Sequence, residues 1–243
     1  MNYDEYISSQ PPKLREKTRQ FNDSGIERGR RIMSLLPVLS FKGKNVLDIG
    51  SGTGGVSVAF ARAGAAVLAI EPNKDLYEIS KSRLSGYKRC EVWNARMESI
   101  ILCPFDIIIL NDVIEHAGRK AFDYACESLR AGDILWLSTP NRLSPKQILK
   151  EGHSGLFGAG LLPAKLARFY VEKVRKSMPD WDIKHLYTYG EIIKMMKDNG
   201  MEWVMIDEYK PARHFTQAPR WFKSLVSHQF RPGFFEFVAR RPK

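Results

Sequence analysis

From Lys44 onward the chain alternates short runs that are apolar throughout with longer runs whose apolar residues recur at helical spacing. The runs Asn45–Ile49, Ala66–Ile70, Glu91–Trp93, Asp106–Leu110 and Ile134–Ser138 predict strands, and Asn73–Leu84 and Arg119–Leu129 predict helices between them. Strands that are apolar on both faces and separated by helices imply a parallel sheet covered on both sides. Ahead of them, residues 1–40 read as a polar arm and then a helix that stops before Pro37, with Ser24-x-x-Glu27 as its capping box. Residues 142–187 interrupt the alternation with a glycine-rich stretch and a basic helix near Pro163–Ser177. Thr188-x-x-Glu191, a second capping box, then opens a helix ending at Gly200, and Met201–Ile206 and Phe234–Ala239 are the last two strands. The pattern predicts one α/β domain: an N-terminal helical arm (1–40), a core (41–142), a lid insertion (143–187), and a C-terminal helix with two strands (188–243).

The 243 residues suffice for one such core, and 44% hydrophobic with 27% charged side chains excludes a collagen-like or wholly disordered chain. No apolar run approaches the roughly 20 residues of a membrane span. The opening Met1-Asn2-Tyr3-Asp4-Glu5 lacks the basic start of a secretory signal. Cys90, Cys103 and Cys126 are scattered, with no Cys-x-x-Cys pair, so neither a disulfide framework nor a structural zinc site is expected and a cytoplasmic location is. The net charge of +11 is lopsided: residues 1–141 hold 19 basic and 17 acidic side chains, residues 142–243 hold 19 and 10. The second part is therefore the one expected to meet an anionic partner, or to be a solvated basic face.

The sharpest local signal is Val46-Leu47-Asp48-Ile49-Gly50-Ser51-Gly52-Thr53-Gly54-Gly55, a strand running into a glycine-rich turn that opens a helix. Such a turn brings backbone close to a ligand. Glu71, at the end of the next strand and 19 residues after Gly52, stands where a carboxylate can accept from both ribose hydroxyls of a nucleoside. Gly50, Gly52 and Gly55 satisfy the dinucleotide pattern G-x-G-x-x-G; Asp48, Gly50, Gly52 and Gly54 satisfy the D-x-G-x-G-x-G loop of S-adenosylmethionine-dependent methyltransferases. A carboxylate beneath the turn suits a cationic amino group and repels a pyrophosphate, which favours the second. Tyr77-x-x-x-Lys81 mimics a dehydrogenase pair, but it lies in the helix after the second strand, away from any substrate edge.

The run from Asn45 to about Arg142 resembles the class I methyltransferase core. Besides the loop and Glu71 it carries Phe105-Asp106-Ile107-Ile108-Ile109-Leu110-Asn111-Asp112-Val113-Ile114-Glu115-His116, Leu129-Arg130-Ala131-Gly132-Asp133 and Leu137-Ser138-Thr139-Pro140-Asn141-Arg142. These blocks are similar to those of the ubiquinone-biosynthesis O-methyltransferases and the type 11 and 23 methyltransferase domains. The resemblance implies a doubly wound, Rossmann-like, seven-stranded, mostly parallel sheet. Its last strand would be antiparallel, with helices on both faces and a helical lid after the fifth strand. It also implies S-adenosylmethionine as donor, bound by Asp48, Gly50, Ser51, Gly52, Gly54, Glu71, Pro72 and Asn111, with Asn94-Ala95 in the place of the adenine-contacting pair.

Asp112-x-x-Glu115-His116 follows the fourth strand, at the edge of such a sheet that faces substrate. It resembles the E-x-x-E-H metal site of ubiquinone-type and small-RNA 3′-terminal 2′-O-methyltransferases, in which a downstream histidine completes the ligand set. His185 stands where that histidine belongs, and His153 is the other candidate. Asp112 replaces the first Glu, so two readings stay open. Asp112, Glu115, His116 and His185 hold Mg²⁺ or another divalent ion, or Glu115 is a buried ion-pair partner and His116 a pocket wall. Without a metal, His116, His153 or His185 is the candidate base.

In the lid, Leu162, Leu166, Phe169 and Val174 are interleaved with Lys165, Arg168, Lys173, Arg175 and Lys176. That composition fits a packed lid, with Gly155, Gly158 and Gly160 allowing it to move, and additionally a membrane-peripheral contact with an anionic surface. Residues 210–232 mix Arg213, His214, Phe215, Arg220, Trp221, Phe222, Lys223, Phe230 and Arg231. They suit RNA stacking, a lipid interface or a glycan pocket; a long, partly packed loop is the simplest reading. No recognised RNA-binding module is present, which places RNA below a small-molecule, glycan or lipid-type hydroxyl as acceptor. RNA 2′-O-methylation and a non-catalytic cofactor-binding module are the alternatives.

Overall fold

A computed structural model describes residues 2–10, 12–99, 104–175, 183–206 and 233–243. The aromatic and basic segment at 210–232, Cys103, and the end of the basic lid helix with Lys176 and Ser177 lie outside the described residues.

Three helices precede the sheet: α1 (Tyr3–Ser9), α2 (Pro12–Asp23) and α3 (Gly25–Leu35). The capping box expected at Ser24 is not formed. Ser24 already has helical backbone angles, and its hydroxyl donates back to the Phe21 carbonyl at 2.9 Å. A reciprocal box forms instead at the start of α1, where Asn2 accepts from the Glu5 N–H and Glu5 accepts from the Asn2 N–H.

The sheet then alternates β1 (Asn45–Ile49), α4 (Gly55–Arg62), β2 (Ala66–Ile70), α5 (Lys74–Leu84), β3 (Cys90–Trp93) and β4 (Ile107–Asn111). After it come α6 (Ile114–Ala117), α7 (Arg119–Glu127) and β5 (Ile134–Pro140). The spatial order is β3-β2-β1-β4-β5-β7-β6. β7 (Phe234–Arg240) runs antiparallel to both β5 and β6 (Glu202–Met205), so the other six strands share one direction. The chain order reverses between β1 and β4, the switch point at which such sheets open a crevice beyond the strand ends.

Successive residues of a strand face opposite sides, and here the two sides have separate cores. Leu47, Ile49, Ile108, Leu110, Leu135 and Leu137 pack against α7 and against α10 (Tyr189–Asp198). Val46, Ile107, Ile109, Ile134 and Trp136 pack against α3 and α4. A Cβ on Gly55 would stand 2.7 Å from the Cα of Gly25, and one on Gly29 would stand 2.6 Å from the Cβ of Ala59. The absence of side chains there lets α3 lie directly on the helix that follows the glycine loop.

The insertion after β5 folds as α8 (Pro145–Leu149), a 3₁₀ turn at Ala159–Leu161 and α9 (Ala164–Val174) around a small core of Ala159, Ala167, Val171, Ile183 and Leu186. It is tied to the sheet by the Arg142 N–H on the Tyr187 carbonyl and to α6 by the Lys184 N–H on the Glu115 carbonyl, at 3.0 and 2.8 Å. Lys17 of α2 donates to the carbonyl of Gly152, so arm and lid meet. The capping box at Thr188 and Glu191 forms as the sequence predicts.

Candidate active site

β1 ends in the glycine turn. The N–H groups of Gly50 and Ser51 both donate to the Ile70 carbonyl, at 2.8 and 3.0 Å, holding the turn against the end of β2. Gly50 and Gly52 have φ of +68° and +55°, which disfavour any side chain. A Cβ on Gly50 would also stand 2.8 Å from Val113, whereas nothing lies within 4 Å of one on Gly52. Beyond the turn is a crevice of about 490 Å³, lined among others by Gly50, Glu71, Pro72, Ala95, Asp112, Val113, His116 and Lys184.

Glu71 is buried at the crevice wall and its two oxygens are aimed by backbone: one accepts the Gly52 N–H at 2.9 Å, the other the Asn73 N–H at 2.8 Å. Each oxygen keeps a second lone pair for a ligand. Burial pushes this carboxyl up, and the two N–H groups pull it back only in part. Tyr6 of α1 is pushed up by burial and then by the charges of Glu71 and Asp75, which places the arm beside this end of the crevice.

Three expected cofactor contacts have other partners. Asp48 shares its strand face with Val46, so its carboxylate lies under α4, where Ser57 Oγ donates to it at 2.5 Å; it is 2% exposed and does not line the crevice. Burial drives it up to about 6. Asn94 donates to the carbonyls of Glu71 and Pro72 at 2.8 and 3.1 Å, tying the end of β3 to the end of β2, and Ala95 rather than Asn94 borders the crevice. Asn111 donates to Asp112 at 3.2 Å. Ser51 Oγ, by contrast, is buried without a protein partner at the turn.

Sequence reasoning missed Arg28. From α3 its guanidinium covers the Phe21 ring at 4.0 Å and donates from Nη2 to the Phe21 carbonyl at 3.0 Å, while Nε is buried without a partner. Burial lowers its pKa, and the charges of Asp112 and Asp48 work against that. The readable signal was Gly25-x-x-x-Gly29, which marks the face of α3 that touches the loop helix, with Arg28 at its margin.

Glu115, His116 and His153 each offer a ligand atom within 4.8 Å of the others, and of the three His116 lines the crevice. Glu115 is fully buried. Thr139 Oγ1 donates to its Oε2 at 3.1 Å, and its Oε1 has no partner. Burial, followed by the neighbouring charge of Asp112, pushes it up to about 7. The rings of His116 and His153 meet edge to face at 5.2 Å. His153 descends from the lid, where its Nδ1 lies 2.8 Å from Glu151. Burial alone would raise Glu151, but the hydrogen bonds and charge of His153 and the Ser154 N–H outweigh it and hold Glu151 at about 2.

The other two expected ligands stand apart. His185 sends only its backbone N–H to Glu115, at 3.3 Å; its ring turns away to Glu191 at 2.9 Å and packs on Tyr187. Asp112, one methylene shorter than the Glu it replaces, has φ +59° and accepts from Ser138 Oγ and Asn111, both at 3.2 Å. It borders the crevice without joining the three-residue cluster.

The family described as methyltransferase domain matches residues 25–209 of this chain. Ubiquinone biosynthesis O-methyltransferase of Dinoroseobacter shibae is 28% identical over 198 residues, which are 79% of this chain and 71% of that protein. The enzyme of the same name from Xylella fastidiosa is 35% identical over 112 residues, 43% of this chain and 45% of that protein, so the match spans under half of that relative's length. In fold, the chain is similar to the crystal structure of an S-adenosylmethionine-dependent methyltransferase from Mesorhizobium loti. The TM-score is 0.60 at 18% identity, covering 87% of this chain and 96% of that one.

Proposed function

The chain belongs to the methyltransferase-domain family, as a class I enzyme dependent on S-adenosylmethionine, and on that premise we propose that it methylates a hydroxyl of a small-molecule, glycan or lipid-type acceptor. The observation that carries the choice of hydroxyl is the cluster of Glu115, His116 and His153, which reaches the crevice through His116. A hydroxyl must lose its proton as it attacks, and this cluster holds two imidazoles and a buried carboxylate with one oxygen unpartnered.

S-adenosylmethionine supplies the electrophilic methyl group. Glu71 would hold the ribose hydroxyls, the Gly50–Gly52 backbone would lie against the nucleoside, and Arg28 would offer its charge to the methionine carboxylate. Val113 and His116 then bound the space left for the acceptor. In-line positioning of nucleophile, methyl carbon and sulfur accounts for most of the rate in such a transfer. An imidazole of the cluster takes the acceptor proton.

The cluster also suits a divalent ion. Glu115 Oε1 is an orphaned buried oxygen, and one carboxylate with two imidazoles is a donor set for Mn²⁺, Fe²⁺ or Zn²⁺ more than for Mg²⁺. Glu115, His116 and His153 would hold it, and such an ion lowers the pKa of a bound hydroxyl.

The lid supports a membrane-peripheral setting. No helix of the described residues is long and apolar enough to cross a membrane. Yet Leu149, Phe157, Leu166, Phe169 and Val174 are exposed here, among Lys146, Lys150, Lys165, Arg168 and Lys173. A basic surface studded with apolar side chains fits an anionic bilayer that presents a lipid-type acceptor.

The test is incubation of the purified protein with methyl-labelled S-adenosylmethionine and separate lipid, glycan and RNA fractions. Label is expected in the lipid or glycan fraction. Label in RNA would transfer the assignment to a 2′-hydroxyl, and label in none would leave a cofactor-binding module.

A further inference from the structure

Glu151 takes no part in the chemistry above, yet it is fully buried in the lid and accepts four hydrogen bonds. Oε1 receives the His153 N–H at 2.9 Å and faces the His153 ring Nδ1 at 2.8 Å. Oε2 receives the Ser154 N–H at 2.6 Å and Ser154 Oγ at 2.7 Å. The turn around it is pinned separately: Gln147 Oε1 accepts the Gly152 N–H at 2.8 Å, and the Gly155 N–H returns to the Glu151 carbonyl at 2.7 Å.

We propose that Glu151 is a positioning residue that accepts the Nδ1–H of His153, fixing that ring's tautomer and leaving Nε2 as the nitrogen offered to the Glu115 and His116 cluster. Three other donors converge on the same carboxylate, so it accepts in this contact as well and the hydrogen sits on Nδ1. Both oxygens face a backbone N–H, so a glutamine would turn its own NH₂ group against a donor whichever way it flipped. The lid thereby delivers a ring of defined orientation to a site built on β4, β5 and α6. A histidine bonded through one nitrogen to a carboxylate is held and made more basic at the other, the arrangement that also orients imidazole ligands. The proposal rests on His153 being a working member of the active site.

The test reads the ring directly. In ¹⁵N-labelled protein without added metal at about pH 8, where an unperturbed imidazole is neutral, long-range ¹H–¹⁵N spectra report which nitrogen of His153 carries the proton. The signal is assigned by its loss in His153→Ala. Wild type is expected to show protonated Nδ1 and a lone pair on Nε2, and Glu151→Gln to lose that pattern. A wild-type ring protonated on Nε2, or a pattern unchanged in Glu151→Gln, overturns the proposal. Ser154→Ala removes one donor to Glu151 without touching His153 and is expected to keep the pattern. If it loses the pattern as fully as Glu151→Gln, the turn and not the carboxylate sets the ring, and the proposal falls. Co²⁺ titration then carries the effect to the site, with the dissociation constant rising about 10- to 100-fold in Glu151→Gln. Adding that change to His153→Ala should cost nothing further, and additive losses would overturn the link through His153. Should wild type bind no Co²⁺ while the ring pattern holds, the metal reading fails and the positioning role stands.

Discussion

Glu71→Ala isolates the grip on the nucleoside. In the wild type the Gly52 and Asn73 N–H groups, at 2.9 and 2.8 Å, leave each carboxylate oxygen one direction open to the crevice. On the proposed reading, two ribose hydroxyls would fill those directions. Hydrogen bonds to a charged group contribute about 1.5–3 kcal/mol each, and water entering the enlarged site recovers part of that. A net loss of about 3 kcal/mol, near 100-fold in dissociation constant, is expected. Calorimetry with S-adenosylhomocysteine measures it. Thermal stability should move by less than about 1 kcal/mol, because the deleted carboxylate is one that burial already disfavours in its charged form. A 2′-deoxy analogue should bind wild type more weakly than the parent ligand but bind Glu71→Ala equally well, since the partner is already gone. A dissociation constant within about threefold of wild type would refute the assignment of Glu71, as would a loss that tracks unfolding of the variant.

Asp48, raised from 3.8 to about 6 by burial, keeps its proton in the folded state at pH values where the unfolded chain has released it. Stability is therefore expected to fall as pH rises from about 4 to about 6 and to level off above; Asp48→Asn should flatten that stretch and stand about 1–3 kcal/mol above wild type at about pH 8 in denaturant melts. A less stable Asn variant at that pH would refute the account. Gly50→Ala meets both a positive φ and Val113 at 2.8 Å. It should lower the melting temperature by about 10 °C, and Val113→Ala should recover the steric part alone; an unchanged melting curve would show that the turn tolerates a Cβ. Leu166→Ser with Phe169→Ser, at positions 57% and 63% exposed, should weaken sedimentation with anionic vesicles about 10- to 100-fold and leave the melting temperature unchanged. Equal sedimentation of variant and wild type would remove the membrane reading.

The arm and the lid meet beside the crevice. Tyr6 borders Glu71, Arg28 lies between the charges of Asp48 and Asp112, and Lys17 reaches the Gly152 carbonyl next to His153.

The amino-acid sequence by itself determined the alternation of strands and helices, the glycine turn and the carboxylate at the end of the second strand. Each of these is written in local pattern: continuous apolar runs, positive-φ glycines, and a fixed spacing from Gly52 to Glu71. The direction of individual side chains was decided only in three dimensions. Asp48 belongs to the same motif as Gly50, but the period of two along β1 sends its carboxylate under α4. Between His153 and His185 the family resemblance favoured His185. In the fold it is the His153 ring, beside Glu151, that joins Glu115 and His116, while the His185 ring faces Glu191. Glu151 was silent in the sequence for the same reason, and Arg28 was marked there only by the neighbouring Gly25-x-x-x-Gly29. A charge in a helix or a loop declares its role only when folding has stripped it of water and shown which group it faces.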